Sequence, residues 1–454
     1  MPALDRPLPS QGAGAEATLS RLTDLVVANG LRIGHPGFSG WVTTAPTDIG
    51  TAADLAQTVA VAQRWWATAG NFVDHLAVRW IIELLGFPHH YVGTLTAGGS
   101  TANLVGLGAA RQHAGERIGS DPSYDGIAAM VEPTVYASAT THHVVSRALG
   151  VLGMGRRHLR TIPLDAGGTI DLGLLQAALS EDEAAGRTQV AIVGSAGDPN
   201  TGRIDPLSEL SRLAHERGMW FHVDGAYGGF GMLDDRIRDR YGNVASYDSF
   251  AIDPHKWMAA PVGTGAAIVA DEGILTRAFT IEPGEYDSER TVEASSGDLD
   301  SPFDELGFGT PDWGVDFSTP ARGVAVWAIL EEIGAAGMRE RVIRHNDCAR
   351  RVSELVGDSP ELELLAEPVL SICCFRYRPD GMGDRELDAL NDEILHTLRA
   401  QGDHVTSSTT VDGSFALRPC FINPRTTLAE ADGLVNNVLA LGRRLTQRHA
   451  IDAG

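Results

Sequence analysis

An α/β fold is predicted for this chain: a mainly parallel sheet covered by helices, followed by a smaller C-terminal α+β domain. Three observations predict it. Short apolar segments alternate with helical patterns over residues 134–223, the order of repeated β-α-β units. Hydrophobic residues make up 43% of the chain and glycines number 52, a composition suited to a compact α/β protein with many tight turns. The residues richest in chemistry directly follow apolar runs, as expected where ligands gather at the carboxyl ends of strands.

In chain order, residues 1 to about 15 read as a lead-in and 16–29 as a helix ended by Gly30. Residues 35–44 lack periodicity and set Trp41 among small residues, either as the wall of a pocket or as an anchor for the N-terminal arm. Helical patterns cover 52–69 and 72–85, the second apolar on most faces. Thr94 to Asn103 then opens a helix running to about His113. Gly98 and Gly99 allow close backbone approach, and Ser100 and Thr101 are expected to cap the helix, so that amides and hydroxyls form an anion seat. The pattern is neither a Walker loop nor a GxGxxG turn.

Strands are expected at 134–137, 159–163, 190–195 and 220–223, with helices at 142–149, 172–185 and 206–217. Ser249–Ile252 and the Gly-rich run 262–270 read as two more strands. Helix 321–332 precedes a change of pattern near Gly334. Helices 338–356, 386–401 and 428–447 and strands 370–377 and 415–421 then make up the smaller domain. The expected division is an N-terminal arm with helices (1–70), a large domain (71–333) and a small C-terminal domain (334–454).

Bulk properties exclude several classes of function. The net charge of −23 is spread along the chain with no basic block, so nucleic acid is not an expected partner. The four cysteines show no CxxC spacing, and neither a disulfide framework nor a metal site is expected. Met1 to Glu16 lacks the basic and apolar regions of a signal peptide, and the longest apolar run, near 259–270, is too short and Gly-rich to span a bilayer. A soluble protein of the cytoplasm, with no membrane partner, is the expectation.

The stretch Asp253-Pro254-His255-Lys256-Trp257 sits between two predicted strands and places one lysine in a strand-end turn. A lysine held there, partly desolvated, can lose its proton and attack an aldehyde. Upstream, Asp224 ends an apolar strand and is followed by the small Ala226; it serves either as a helix cap or as the partner of a protonated ring nitrogen. His142 and His143 lack the i, i+4 spacing of a metal pair, and an imidazole lying flat on an aromatic ring is the better functional reading. Anion seat, imidazole, strand-end acid and strand-end lysine, taken in that order, point to pyridoxal 5'-phosphate.

On Leu95 to Asn103, His142 with Ser146-Arg147-Ala148, Asn200 to Asp205, His222 to Tyr227, Asp253 to Trp257, Arg322 to Trp327 and Leu417 to Thr427, the sequence resembles the group II pyridoxal-phosphate decarboxylases, which include aromatic amino acid and glutamate decarboxylases. The resemblance spans about residues 35–430. It implies the aspartate-aminotransferase fold (fold type I), with a mainly parallel seven-stranded sheet in the large domain, and a homodimer whose active sites lie across its interface. It further implies that Lys256 bonds to the cofactor aldehyde, that Asp224 keeps the ring nitrogen protonated and that Ala226 and His142 cover the two ring faces. Gly99, Ser100 and His255 would bind the phosphate. Asp253 stands where the family often has asparagine, and Asp198-Pro199 where it usually has two threonines.

Trp41 and Thr44 match positions that line the family's substrate pocket. Arg322 reads either as a partner for a carboxylate or as a surface cation, and Arg418 either as a carboxylate contact or as part of a structural ion pair. The family's catalytic loop corresponds to residues 285–313, and Thr310 stands where its proton-donating tyrosine is expected. Tyr286 matches a different position, and Phe303 and Phe308 are the only aromatics over 287–310; Phe308 is the candidate substrate contact there. Decarboxylation of an L-amino acid or amino acid conjugate is the leading reaction implied. Decarboxylation-dependent oxidation to an aldehyde is its rival, and β-elimination follows.

Overall fold

The computed structural model describes residues 4–60, 68–280, 313–316 and 319–452. Helix α1 (Ala15–Arg21) continues as a π-helical turn over Leu22–Val27, in place of one regular helix to residue 29. The two-residue strand β1 (Phe38–Ser39) follows, and then α2 (Asp48–Val59), capped by the Thr47 side chain on the Gly50 amide, and α3 (Thr68–Leu85).

The central elements come next: β2 (Val92–Thr96), α4 (Gly99–Arg117), β3 (Thr134–Ser138), α5 (Val144–Val151), β4 (Leu159–Ile162), α6 (Leu172–Ala184), β5 (Gln189–Ser195), α7 (Leu207–His215), β6 (Trp220–Asp224), β7 (Ser249–Ile252), β8 (Gly265–Val269) and α8 (Glu272–Phe279). Their seven strands form one sheet in the order β2-β8-β7-β6-β5-β3-β4. The pairs from β4 through β3, β5 and β6 to β7 are parallel, while β8 runs antiparallel to both of its neighbours. Side chains alternate between the faces: Tyr136 and Ile192 enter one core with α3 and α7, whereas Val135, Ala137, Ala191 and Val193 enter another beneath α4 and α5. Both faces are therefore dry, which is why these strands read as continuous apolar runs.

Helix α9 (Gly323–Gly357) is two helical segments joined at a kink, as expected, since Gly334 is non-helical (φ 61°, ψ −177°). It leads into β9 (Leu362–Ala366), β10 (Cys374–Tyr377), α10 (Asp384–Gln401), β11 (Val405–Val411), β12 (Ser414–Arg418) and α11 (Leu428–Asp452). A second sheet has the order β1-β11-β12-β10-β9, so the N-terminal β1 completes the C-terminal sheet by pairing parallel with β11. Phe375, Leu417, Ile394 and Val438 lie in the core of this part.

Candidate active site

Four connections converge at the carboxyl edge of the seven-stranded sheet: those after β2, β3, β6 and β7. Asp224 is the last residue of β6, in register with Ser195 of β5 and Ala251 of β7. Asp253 follows β7 directly. The Lys256 amide donates to the Asp253 carbonyl (3.0 Å) and the Ala260 amide to that of Pro254 (3.1 Å), which folds the lysine motif into a tight turn. That turn brings Lys256 Nζ to 2.9 Å from Asp253 Oδ2.

The turn after β2 faces this pair. Gly98 adopts φ 128°, a conformation that side chains disfavour, and is itself the N-cap of α4. Ser100 and Thr101 are thus residues of the first turn, and no side chain caps the helix, which corrects the expectation of hydroxyl caps. Among the described residues no acceptor takes the Gly99 and Ser100 amides. The close approach is quantitative: a Cβ on Gly99 would lie 2.5 Å from Asp253 Oδ2 and 3.0 Å from the Ala226 methyl, and one on Gly98 would lie 3.2 Å from His255 Cε1.

His255 donates from Nδ1 to the Thr264 carbonyl (2.9 Å), and its Cε1 edge lies against Gly98. His142 accepts the Val144 amide on Nδ1 (3.3 Å) and lies against His143 with 4.2 Å between ring centroids. Burial moves its pKa below the ordinary value, with Asp224 acting in the opposite sense and Lys256 in the same sense. His142, Asp224 and Lys256 therefore share one electrostatic neighbourhood. Asp224 accepts the Ala226 amide on Oδ1 (3.1 Å).

The other expected contacts lie around this centre with bonds of their own. Trp41 (φ 52°, 43% exposed) donates its backbone N–H to the Ser407 hydroxyl oxygen (3.0 Å) and packs under the Arg399 guanidinium, at the C-terminal sheet. Thr44 is fully buried, its hydroxyl 3.2 Å from the Ala45 carbonyl. Arg322 donates to the Gly263 carbonyl (2.7 Å) and to the Thr319 hydroxyl, and Arg418 donates to the Pro199 carbonyl (2.7 Å). Asp198 closes its own turn by accepting the amides of Asn200 (2.8 Å), Thr201 (3.0 Å) and Arg203 (2.9 Å). Phe308, together with Tyr286, Phe303 and Thr310, lies outside the described residues.

One residue that sequence reasoning passed over, His345, supports the lysine turn. The Trp257 indole is stacked on Tyr227 (5.5 Å, 7°) and donates to Nδ1 of the buried His345 (2.9 Å). His345 Nε2 donates in turn to the Asn423 carbonyl (2.9 Å), which links the turn through α9 to the C-terminal part. A polar residue among the buried positions of a long helix was the available signal.

The edge can hold a phosphate-bearing aldehyde. Free first-turn amides, a glycine cradle that a methyl group would fill and an amine within reach all fit such a ligand. Among the described residues no group of three or more His, Cys, Asp or Glu is placed to hold a metal ion, and no helix is long and apolar enough to cross a membrane.

Comparison with known proteins agrees. Residues 3–378 match the family described as "Pyridoxal-dependent decarboxylase conserved domain". The chain is 28% identical over 449 residues to the aromatic-L-amino-acid decarboxylase of Bacillus atrophaeus, covering 98% of this chain and 88% of the relative. It is 25% identical over 434 residues to the phenylacetaldehyde synthase of Arabidopsis thaliana, covering 91% and 84%. In fold it is similar to the Oryza sativa TDC crystallised with PLP and tryptamine, with a TM-score of 0.86, 23% identity and coverage of 97% and 90%. The expected fold type I architecture is thereby met. Pyridoxal 5'-phosphate is the cofactor, and the chain belongs to the pyridoxal-dependent decarboxylase family of lyases.

Proposed function

We propose that this enzyme decarboxylates an L-amino acid or an amino acid conjugate, with Lys256, Asp224 and His142 as its catalytic residues. The observation that carries the reading is the Lys256 ammonium held 2.9 Å from Asp253 beside the Gly98-Gly99 cradle and in the electrostatic neighbourhood of Asp224 and His142. Pyridoxal phosphate, when bound, supplies an aldehyde for the lysine and a ring that withdraws electrons from the substrate α-carbon.

The protein's own groups supply the rest. Lys256 gives up its proton to become nucleophilic, and Asp253 is the base in contact with it. Among the described residues Asp224 accepts one amide through Oδ1, which leaves its carboxylate able to hold a protonated ring nitrogen at the end of β6. His142 carries its proton on Nε2, because Nδ1 accepts the Val144 amide, and its ring is the flat face proposed to cover the cofactor. The Gly99 and Ser100 amides, with His255, seat the phosphate. Trp41, Thr44, Arg322, Arg418 and Phe308 are the candidates for substrate contact.

A second reading, oxidative release of an aldehyde, is favoured by one observation: Thr310 stands where the family's tyrosine is expected. One relative of this chain is a phenylacetaldehyde synthase. Amino acids and their conjugates are screened under air and under nitrogen for carbon dioxide, amine, aldehyde, ammonia and peroxide. Amine with carbon dioxide in both atmospheres supports decarboxylation. Aldehyde, ammonia and peroxide formed only under air would replace it with the second reading, and restoring tyrosine at Thr310 or Phe308 then tests the cause.

The working form is proposed to be a homodimer with shared active sites. Helix α1 and the π-helical turn bury none of their residues and expose Leu19, Leu22, Val26 and Val27, a stripe suited to a second copy. Four free, buried cysteines accord with a reducing compartment such as the cytoplasm. The three-part division at residues 70 and 333 is proposed with its second boundary at the Gly334 break.

A further inference from the structure

A buried chain of hydrogen bonds runs beneath the anion seat. The Trp220 indole donates to Ser249 Oγ (2.7 Å), which lies 2.7 Å from His222 Nδ1. His222 Nε2 lies 2.9 Å from Asn103 Oδ1, and Asn103 Nδ2 donates to the Gly99 carbonyl (2.8 Å). His222 and Asn103 are completely buried, and Ser249 is 1% exposed.

Only one arrangement of protons satisfies every member. An indole is a donor only, so the Ser249 hydroxyl hydrogen is left for His222 Nδ1. His222 then carries its proton on Nε2 and donates to Asn103, whose amide nitrogen is the atom facing Gly99. The chain requires a neutral imidazole, and burial holds the His222 pKa at about 4. Helix α4 lies directly on the ring, since a Cβ at Gly106 would fall 2.6 Å from it.

The Gly99 carbonyl and the Ser100 N–H belong to one peptide group. A hydrogen bond accepted at the oxygen polarises the amide and strengthens it as a donor. We propose that His222 is a positioning residue for the phosphate seat: through Asn103 it orients and polarises the Gly99-Ser100 peptide, so that the Ser100 amide grips the cofactor phosphate. The inference rests on the reading that the first turn of α4 seats that phosphate. The same chain ties α4 to β6, which ends in Asp224, and to β7, which leads to Lys256.

The test compares the affinity of the apoenzyme for pyridoxal phosphate, for pyridoxal and for inorganic phosphate. His222→Phe removes both bonds at similar volume; His222→Gln offers one donor and one acceptor. His222→Phe is expected to weaken pyridoxal phosphate and inorganic phosphate by about ten-fold while leaving pyridoxal unchanged, the effect of one lost hydrogen bond. His222→Gln restores most of the loss. Equal weakening of pyridoxal and its phosphate would show a merely structural role and overturn the proposal. Should His222→Phe fail to fold, Ser249→Ala removes the bond that fixes the tautomer; an unchanged ratio of the two cofactor affinities in that variant overturns the proposal as well. A wild-type enzyme that binds pyridoxal as tightly as its phosphate would instead refute the phosphate seat, and this inference with it.

Discussion

The Asp253 carboxylate holds the Lys256 ammonium at 2.9 Å within a single turn, and Asp253 is almost wholly buried. Its other oxygen has no hydrogen-bond partner and lies 3.8 Å from His255 Nδ1. One negative charge thus stands beside both the lysine and the glycine cradle. Replacing it with the neutral amide, Asp253→Asn, removes a repulsion toward any anion on α4 and frees the lysine charge to attract one. Inorganic phosphate is expected to bind the apoenzyme about ten-fold tighter in the variant, an effect of 1–2 kcal/mol for charges about 5 Å apart at an effective dielectric of about 20 after screening. Calorimetric titration measures it, and unchanged or weaker binding would show that Asp253 does not face the anion.

Gly99 tests the cradle by volume. With alanine there, the methyl would meet Asp253 Oδ2 at 2.5 Å, and either the carboxylate or the helix has to move. Overpacking of this kind costs about 1–3 kcal/mol. Gly99→Ala is expected to lose at least about ten-fold in pyridoxal phosphate affinity by equilibrium dialysis. Undiminished affinity would mean that the cofactor sits elsewhere.

His345 tests the support of the lysine turn. His345→Leu would leave the Trp257 N–H and the Asn423 carbonyl unpaired in the interior. About 3 kcal/mol of stability is expected to be lost in urea unfolding of the apoenzyme, while His345→Gln loses less. Similar losses for the two variants would assign the effect to shape and not to hydrogen bonding.

Buried histidines also fix an acid limb of stability. His222 titrates at about 4 in the folded protein, against its ordinary value of 6.5. Between these values the unfolded chain binds a proton that the folded chain does not, so stability falls as pH drops through that window and is flat above it. The loss from His222 is on the order of 3 kcal/mol. His345 acts in the same direction, whereas Asp205, raised by burial to about 6, acts in the opposite one. The wild-type curve of stability against pH is expected to be steeper between 4 and 6.5 than that of His222→Gln. Parallel curves would contradict the assignment.

Much of the site was legible because its residues sit at breaks in apolar runs. Asp224 ends a strand that is dry on both faces, and Asp253 and Lys256 follow another, so the change from apolar to polar marks the sheet edge. The N-cap was misjudged because Ser100 and Thr101 are good capping residues, yet Gly98 reaches a backbone conformation closed to them. Strand β11, Val-Thr-Ser-Ser-Thr-Thr-Val, shows no apolar alternation and is fixed by its neighbours β1 and β12, a tertiary effect. The division of α9 at Gly334 was legible because a glycine interrupts the helical pattern, and the backbone there does leave the helical conformation. The His222 to Gly99 chain joins residues more than a hundred positions apart, which no local pattern reveals.

Covalent attachment of the cofactor tests the central claim most directly. The holoenzyme is reduced with borohydride, digested, and mapped by mass spectrometry for the pyridoxyl group. Recovery of the label on Lys256 alone, and its absence from Lys256→Ala treated in the same way, is the expected result. A label on another lysine, or an equal yield from Lys256→Ala, would contradict the assignment of the active site to this edge of the sheet.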